Sequence, residues 1–230
     1  MNAKKLSFLL LILVAVACTN RSTSSEQDEM RHWNNVLQQI NALLLENKAR
    51  QTLDLAKQTL PEILESAEKN GTTDTLIYYA RKIFNACGNN YINTKQYKDG
   101  IDYMDSIGNH PLIREHCPHE LLSFKAGLNQ LYGNNPEAVR LAEDYLQLPV
   151  CTSANDFIRQ AEIISGVYMY SGNNLPKAIQ ILEKAIDVYR KGGNFPNMLR
   201  IMSRLGIYYH LSGEYEKAIA TNQEATATYN

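Results

Sequence analysis

No apolar run in this 230-residue chain is long enough to cross a bilayer. The longest, Leu6 to Ala17, has twelve residues where a spanning helix needs about 20. Neither charge sign dominates, with 23 lysine and arginine residues against 24 aspartate and glutamate. The basic footprint of a nucleic-acid binder is therefore absent. Sustained alternation of apolar and polar residues is missing too, which removes β-strands and leaves apolar residues recurring at three and four, the helical spacing. No nucleophile–base motif, phosphate loop or paired-acid motif stands out, so neither an enzyme nor a cofactor is expected. His32, His210 and the single Trp33 fall on helical patterns and read as packing or surface residues. With 44% hydrophobic residues the chain still has enough apolar surface for an ordered, soluble body.

What is present begins at the N-terminus. Lys4 and Lys5 precede the apolar run, which has the length of a secretory signal's central region. The run ends in Ala15-Val16-Ala17-Cys18, which resembles the lipobox of bacterial lipoproteins. That resemblance implies removal of residues 1–17, lipidation of Cys18, a tether over 18–24 and a folded domain over 25–230. An ordinary signal peptide, cleaved after Ala17 with Cys18 incidental, is the alternative. Thr19 stands where retained inner-membrane lipoproteins of enteric bacteria carry aspartate, so an outer-membrane anchor is expected, its face left open. Export places Cys87, Cys117 and Cys151 in an oxidising space. Cys117 and Cys151 lie 34 positions apart at neighbouring ends of one hairpin, and either a disulfide or two free thiols would suit them. Cys87 falls on an apolar helix face and reads as a core residue.

Small residues recur in pairs: Gly88 and Gly100, Ala126 and Ala138, Gly166 and Ala178, Gly206 and Ala218. The last three second members are spaced forty apart, as are Ala185 and Ala225. Such a period marks stacked units that bury apolar faces against their neighbours. Gly133-Asn134-Asn135-Pro136, Gly172-Asn173-Asn174-Leu175-Pro176 and Ser212-Gly213-Glu214 read as turns within hairpins. Gly108-Asn109-His110-Pro111 and Gly192-Gly193-Asn194-Phe195-Pro196 read as breaks between them. Ser25-Glu26-Gln27-Asp28 has the form of a capping box that opens the first helix.

Leu205, Gly206, Tyr209, Ala218 and Ala225 together resemble the tetratricopeptide repeat family. Gly166, Ala178, Leu182 and Ala185, then Cys87, Gly88, Tyr91 and Gly100, are similar with more departures. The resemblance implies an all-α solenoid of about five antiparallel hairpins in a right-handed superhelix, with each helix A glycine crossing its helix B at the small partner. It also implies a concave groove for a protein or peptide partner. Carried over position by position, the groove takes Lys82, Asn85, Asn89 and Ile92; Glu120, Ser123 and Gln130; Gln160, Ile163, Val167 and Tyr170; and Arg200, Ser203, Ile207 and His210. Arg200 and Arg204 resemble part of the carboxylate clamp of chaperone-binding members. Ser123, Gly127 and Ile164 stand where the rest of a clamp would be, so no clamp is expected.

His116-Cys117-Pro118-His119, with His110 nearby, is the one metal-like cluster. It lacks a second spaced pair of ligands, and the expectation is a polar inter-repeat loop without metal. The leading functional expectation is a lipid-anchored envelope adaptor. The sensory part of a longer regulator, such as a histidine kinase, is the alternative; glycan capture or a metal enzyme at the His116–His119 loop are remoter. Ile181, Leu182, Ile186 and Val188 are replaced by Thr221, Asn222, Thr226 and Thr228 in the final unit. The last helix is therefore a partial polar cap that leaves Ile207, Ile219 and Tyr229 half covered, and either a continuation of the array or self-association through this end is expected.

Overall fold

The computed structural model describes residues 24–149, 154–192 and 195–229. Every regular element among them is helical. In chain order these are α1 (Ser24–Leu45), α2 (Ala49–Asn70), α3 (Asp74–Asn93), α4 (Tyr97–Ile107), α5 (Pro111–His116), α6 (Pro118–Tyr132), α7 (Asn135–Gln147), α8 (Ala154–Tyr170), α9 (Leu175–Gly192), α10 (Phe195–Leu211) and α11 (Tyr215–Tyr229). With α5 set aside they pair into five hairpins, the all-α solenoid expected. Cys18 and Cys151 lie outside the described residues.

One device closes four of the five hairpins. The helix ends on a residue in the left-handed region, and the next amide donates back five positions to an orphan carbonyl. These bonds run from Lys48 N to Leu43 O, Gln96 N to Tyr91 O, Asn134 N to Asn129 O and Glu214 N to Tyr209 O, at 2.8–3.1 Å. The left-handed residues are Asn47, Lys95, Gly133 and Gly213. In the remaining turn the residue with positive φ is Asn173, not Gly172. Glycine thus fills only two of the sites, and Lys95 sits at φ 58° with a Cβ that this region disfavours by about 1 kcal/mol or more. Lys95→Gly should therefore raise stability by roughly 1 kcal/mol. Thermal unfolding should show the midpoint about 2–4 °C higher.

The break after Gly108 is not a plain loop. Pro111 opens the six-residue α5, and His110 Nδ1 accepts from the Leu112 amide at 3.2 Å. His110 Nε2 lies 3.1 Å from a Glu68 carboxylate oxygen on α2, while Leu112 and Ile113 are buried. This short helix plugs the seam between the second and third hairpins.

The core runs the length of the stack as two clusters that meet at α6. Phe124 and Leu128 face the N-terminal cluster with Trp33, Leu60, Phe84 and Met104. Ala126 faces the C-terminal cluster with Tyr168, Leu182, Ile201 and Tyr208. The third hairpin therefore has an apolar face toward each of its neighbours, as a stack in which units bury one another requires.

Candidate partner-binding face

The first helices of successive hairpins, α3, α6, α8 and α10, lie side by side and form one face of the stack. Between α3 and α6 the contact is tight. A Cβ on Gly88 would fall 2.4 Å from the Phe124 ring, and that ring is held edge-on to Phe84 at 6.1 Å. Beside it, Arg81 on α3 meets Glu120 on α6, Nε to Oε1 at 3.1 Å, and donates from Nη2 to the His116 carbonyl at 2.5 Å. The Glu120 side chain is only 2% exposed. Between α6 and α8 the fit is again close, since a Cβ on Gly127 would sit 2.7 Å from Ile163.

The spacing opens between α8 and α10. A Cβ on Gly166 would have nothing nearer than Gln130 Oε1 at 3.8 Å and Arg204 Nη1 at 4.0 Å. Glu162 spans this notch. Its carboxylate lies 2.7 Å from Arg200 Nη2 and 3.1 Å from Arg204 Nη2, and its carbonyl accepts from Arg204 Nη1 at 3.0 Å. The glutamate is mostly covered, whereas the Arg200 side chain is 55% exposed. The notch therefore presents two guanidinium groups already held in place, with one negative charge set beneath them. At the floor, burial pushes the Tyr208 hydroxyl up from its ordinary pKa and the Arg204 charge opposes that shift, so Tyr208 stays a neutral phenol.

Of the residues expected in the groove, the structure brings Lys82, Asn85, Gln130, Tyr170, Arg200 and His210 to this face, with Asn85 and Gln130 half-buried. Lys82 Nζ lies over the Tyr78 ring, and His210 packs against Tyr215. Tyr170 is open to solvent, at 69% exposed. Asn89, Ser123 and Gln160 do not belong to the surface; each is under 10% exposed. They sit where neighbouring helices touch and satisfy their polar atoms internally. Asn89 donates to the Asn85 carbonyl, Ser123 donates to the Glu120 carbonyl, and Gln160 accepts from the Tyr145 hydroxyl. Glu120 and Val167 are buried as well.

The glycine expectation needs a similar correction. Gly88 is close to the next hairpin rather than to its own second helix, and Gly166 has free space. Gly206 does face its own second helix, but at Asn222 rather than at Ala218: a Cβ added there would fall 2.5 Å from the Asn222 amide oxygen.

The His116–His119 segment is dispersed into separate structural duties. His110 caps α5, His116 supplies a carbonyl to Arg81, Cys117 is fully buried, and His119 Nε2 lies 2.7 Å from the Pro149 carbonyl. Among the described residues no group of three metal-binding side chains comes together. Burial pushes the Cys87 thiol up to about 12, as suits a core residue rather than a nucleophile.

On the opposite side, made by the second helices, lies a repeated staple that the sequence reading did not anticipate. Glu143 pairs with Lys177 at 2.5 Å, and Lys177 Nζ lies over the Tyr168 ring. One unit later Tyr209 donates to Glu183 at 2.5 Å, and Lys217 lies over the Tyr209 ring. The signal was available, because Glu143 and Glu183, like Lys177 and Lys217, are forty residues apart.

Residues 161–230 match the sequence profile of the tetratricopeptide repeat family. The chain folds as a tetratricopeptide-type array. Over 86% of its length it is similar to nearly identical TPR-like repeats assigned to a kinesin light chain of Podosopora anserina. That likeness covers 95% of the solved chain, with 12% identity and a TM-score of 0.54. It is also similar to a double mutant of MamA from Desulfovibrio magneticus RS-1, with 15% identity, 88% and 95% of the two chains covered and a TM-score of 0.50. No curated protein matches it by sequence. The notch at Gly166 and the exposed Tyr170 lie on the face that the first helices form. No helix among the described residues is long and apolar enough to cross a membrane.

Proposed function

We propose that this protein is a lipid-anchored scaffold of the bacterial envelope that holds a protein or peptide partner on its inner face. The notch at Gly166 carries the binding half of this reading. There the first helices part, two guanidinium groups are fixed by Glu162, and Tyr170 stands in the open. Fixed donors and an exposed aromatic suit a peptide, whose backbone carbonyls accept hydrogen bonds and whose side chains pack on the ring. On the outer side of the same hairpins, Glu143, Lys177, Glu183 and Lys217 are engaged in the Glu–Tyr–Lys staples instead. The anchoring half rests on the Ala15-Val16-Ala17-Cys18 end of the apolar run, and the outer membrane follows from Thr19.

Both halves can be tested on the full chain. Replacing Lys82, Gln130, Tyr170 and Arg200 together with alanine should abolish recovery of a crosslinked envelope partner while leaving helicity intact. Undiminished recovery would remove the inner face from the reading. Cys18→Ala should end palmitate incorporation and move the protein from the membrane to the soluble fraction, or leave an unprocessed precursor. A palmitate label that still enters this variant would defeat the anchor.

A further inference from the structure

The joint between the first and second hairpins holds Asn70-Gly71, and no other asparagine in the chain is followed by glycine. Asn70 is the last residue of α2, and both residues are exposed. Gly71 has φ 84° and ψ 158°, a backbone region that only glycine enters readily. The amide that follows a helix elsewhere in the chain donates back into it, as at Thr94, Gly108, Cys117, Gly133 and Leu148. The Gly71 amide donates to no acceptor among the described residues, and a Cβ placed on Gly71 would meet nothing within 4 Å. Turning the ψ of Asn70 therefore breaks no helical hydrogen bond, and the asparagine side chain can reach the next nitrogen. Asp99-Gly100 is the acidic analogue of this pair, but there Gly100 is buried in α4 and donates to the Gln96 carbonyl at 2.9 Å.

We propose that Asn70 is a modification site at which the chain deamidates with water as the only reactant, and that the product loosens α1 from the stack. The Gly71 nitrogen gives its proton to hydroxide and forms a bond to Asn70 Cγ. The Cγ–Nδ2 bond then breaks, and Nδ2 leaves as ammonia with a proton from water. A second water opens the cyclic imide. Opening at Cγ leaves aspartate, whereas opening at the main-chain carbonyl leaves isoaspartate, with one more carbon in the backbone. Either product puts a carboxylate at the C-terminus of α2, where the helix dipole disfavours negative charge. It also disturbs a relay of hydrogen bonds. Asn70 Nδ2 donates to Ser66 Oγ at 3.3 Å, and Ser66 Oγ donates to Glu29 on α1 at 2.8 Å. A carboxylate at position 70 cannot donate, so it faces Glu29 across a hydroxyl with a single proton. These residues line a cavity of about 200 Å³ together with Trp33, the only tryptophan of the chain. Repulsion there acts on the part of α1 that holds Trp33 against Tyr79. The site lies in the first hairpin and the notch between the fourth and fifth, so this inference stands independently of the proposed function.

Ageing the full chain at neutral to mildly alkaline pH tests both parts. After digestion with pepsin in acid, which halts the reaction, mass spectrometry should find most of the Asn70 peptide converted from amide to acid. The peptides of Asn134 and Asn173, exposed in turns but followed by asparagine, should still be amides. An isoaspartate methyltransferase should label the aged parent, and Asn70→Gln, whose extra methylene disfavours ring closure, should lose that label. Trp33 fluorescence should shift to the red as the parent ages, and Asn70→Asp should show the shift from the start. An Asn70 peptide that keeps its amide through ageing, or a label undiminished in Asn70→Gln, overturns the site. Parent-like fluorescence in Asn70→Asp overturns the loosening of α1.

Discussion

Arg81→Met should be among the most damaging single substitutions in the chain, lowering stability by about 3–5 kcal/mol because it strips a buried carboxylate of its cation. Glu120 is held between α3 and α6 with 2% of its side chain exposed, and Arg81 reaches it from the neighbouring hairpin at 3.1 Å. The same guanidinium also satisfies the carbonyl at the end of α5, so its loss loosens three elements together. Thermal unfolding should show a midpoint lower by roughly 10 °C or more. Converting both partners, as Arg81→Met with Glu120→Leu, should recover most of the loss, since no unpaired charge then remains in the seam. A single variant as stable as the parent, or a double variant no better than the single, would mean that the pair does not join these hairpins.

Gly88→Ala and Gly166→Ala should move stability in opposite directions, although the two glycines occupy the same register position in their repeats. The new methyl group on Gly88 would lie 2.4–2.6 Å from three carbons of the Phe124 ring. That ring is fully buried and braced by Phe84, so it cannot swing away, and overpacking should cost about 1–3 kcal/mol or more. At Gly166 the methyl group meets only ordinary contacts, and alanine's better helix propensity should gain up to about 1 kcal/mol. Differential scanning calorimetry of the two variants checks the sign directly. Equal destabilisation would show that α8 and α10 approach as closely as α3 and α6, and would close the notch on which the binding reading depends.

The difference between these glycines marks the boundary of what the sequence could reveal. The last three hairpins were legible because their turns are written in local chemistry: Gly133 and Gly213 at left-handed positions and Asn173 in the turn before α9. The stacking order was legible from the forty-residue recurrence. The distance between stacked first helices was not, because it depends on the residue opposite. Phe124 stands against Gly88, while Arg204 stands beside Gly166 and turns its head group to Glu162.

The same limit explains the groove residues that proved to be buried. A polar residue within a helix can bond to the carbonyl three or four positions back and then pass into an interface without penalty. Asn89 and Ser123 do this, and nothing in their identity separates them from Lys82 or Tyr170, which stay in solvent. The short helix α5 was hidden for another reason. Six residues are too few to display a helical period, and its signature, a histidine cap before proline, also reads as a turn.

The central claim is that a partner lies along the inner face, and site-specific photocrosslinking in the envelope tests it most directly. A photoreactive residue placed at Lys82, Tyr170 or Arg200 should trap one and the same partner. The same residue at Arg140 or Lys184, exposed on the second helices, should trap none of it. If instead Arg140 or Lys184 captures the partner while Tyr170 stays silent, the binding surface is the outer one and the account of the inner face is wrong.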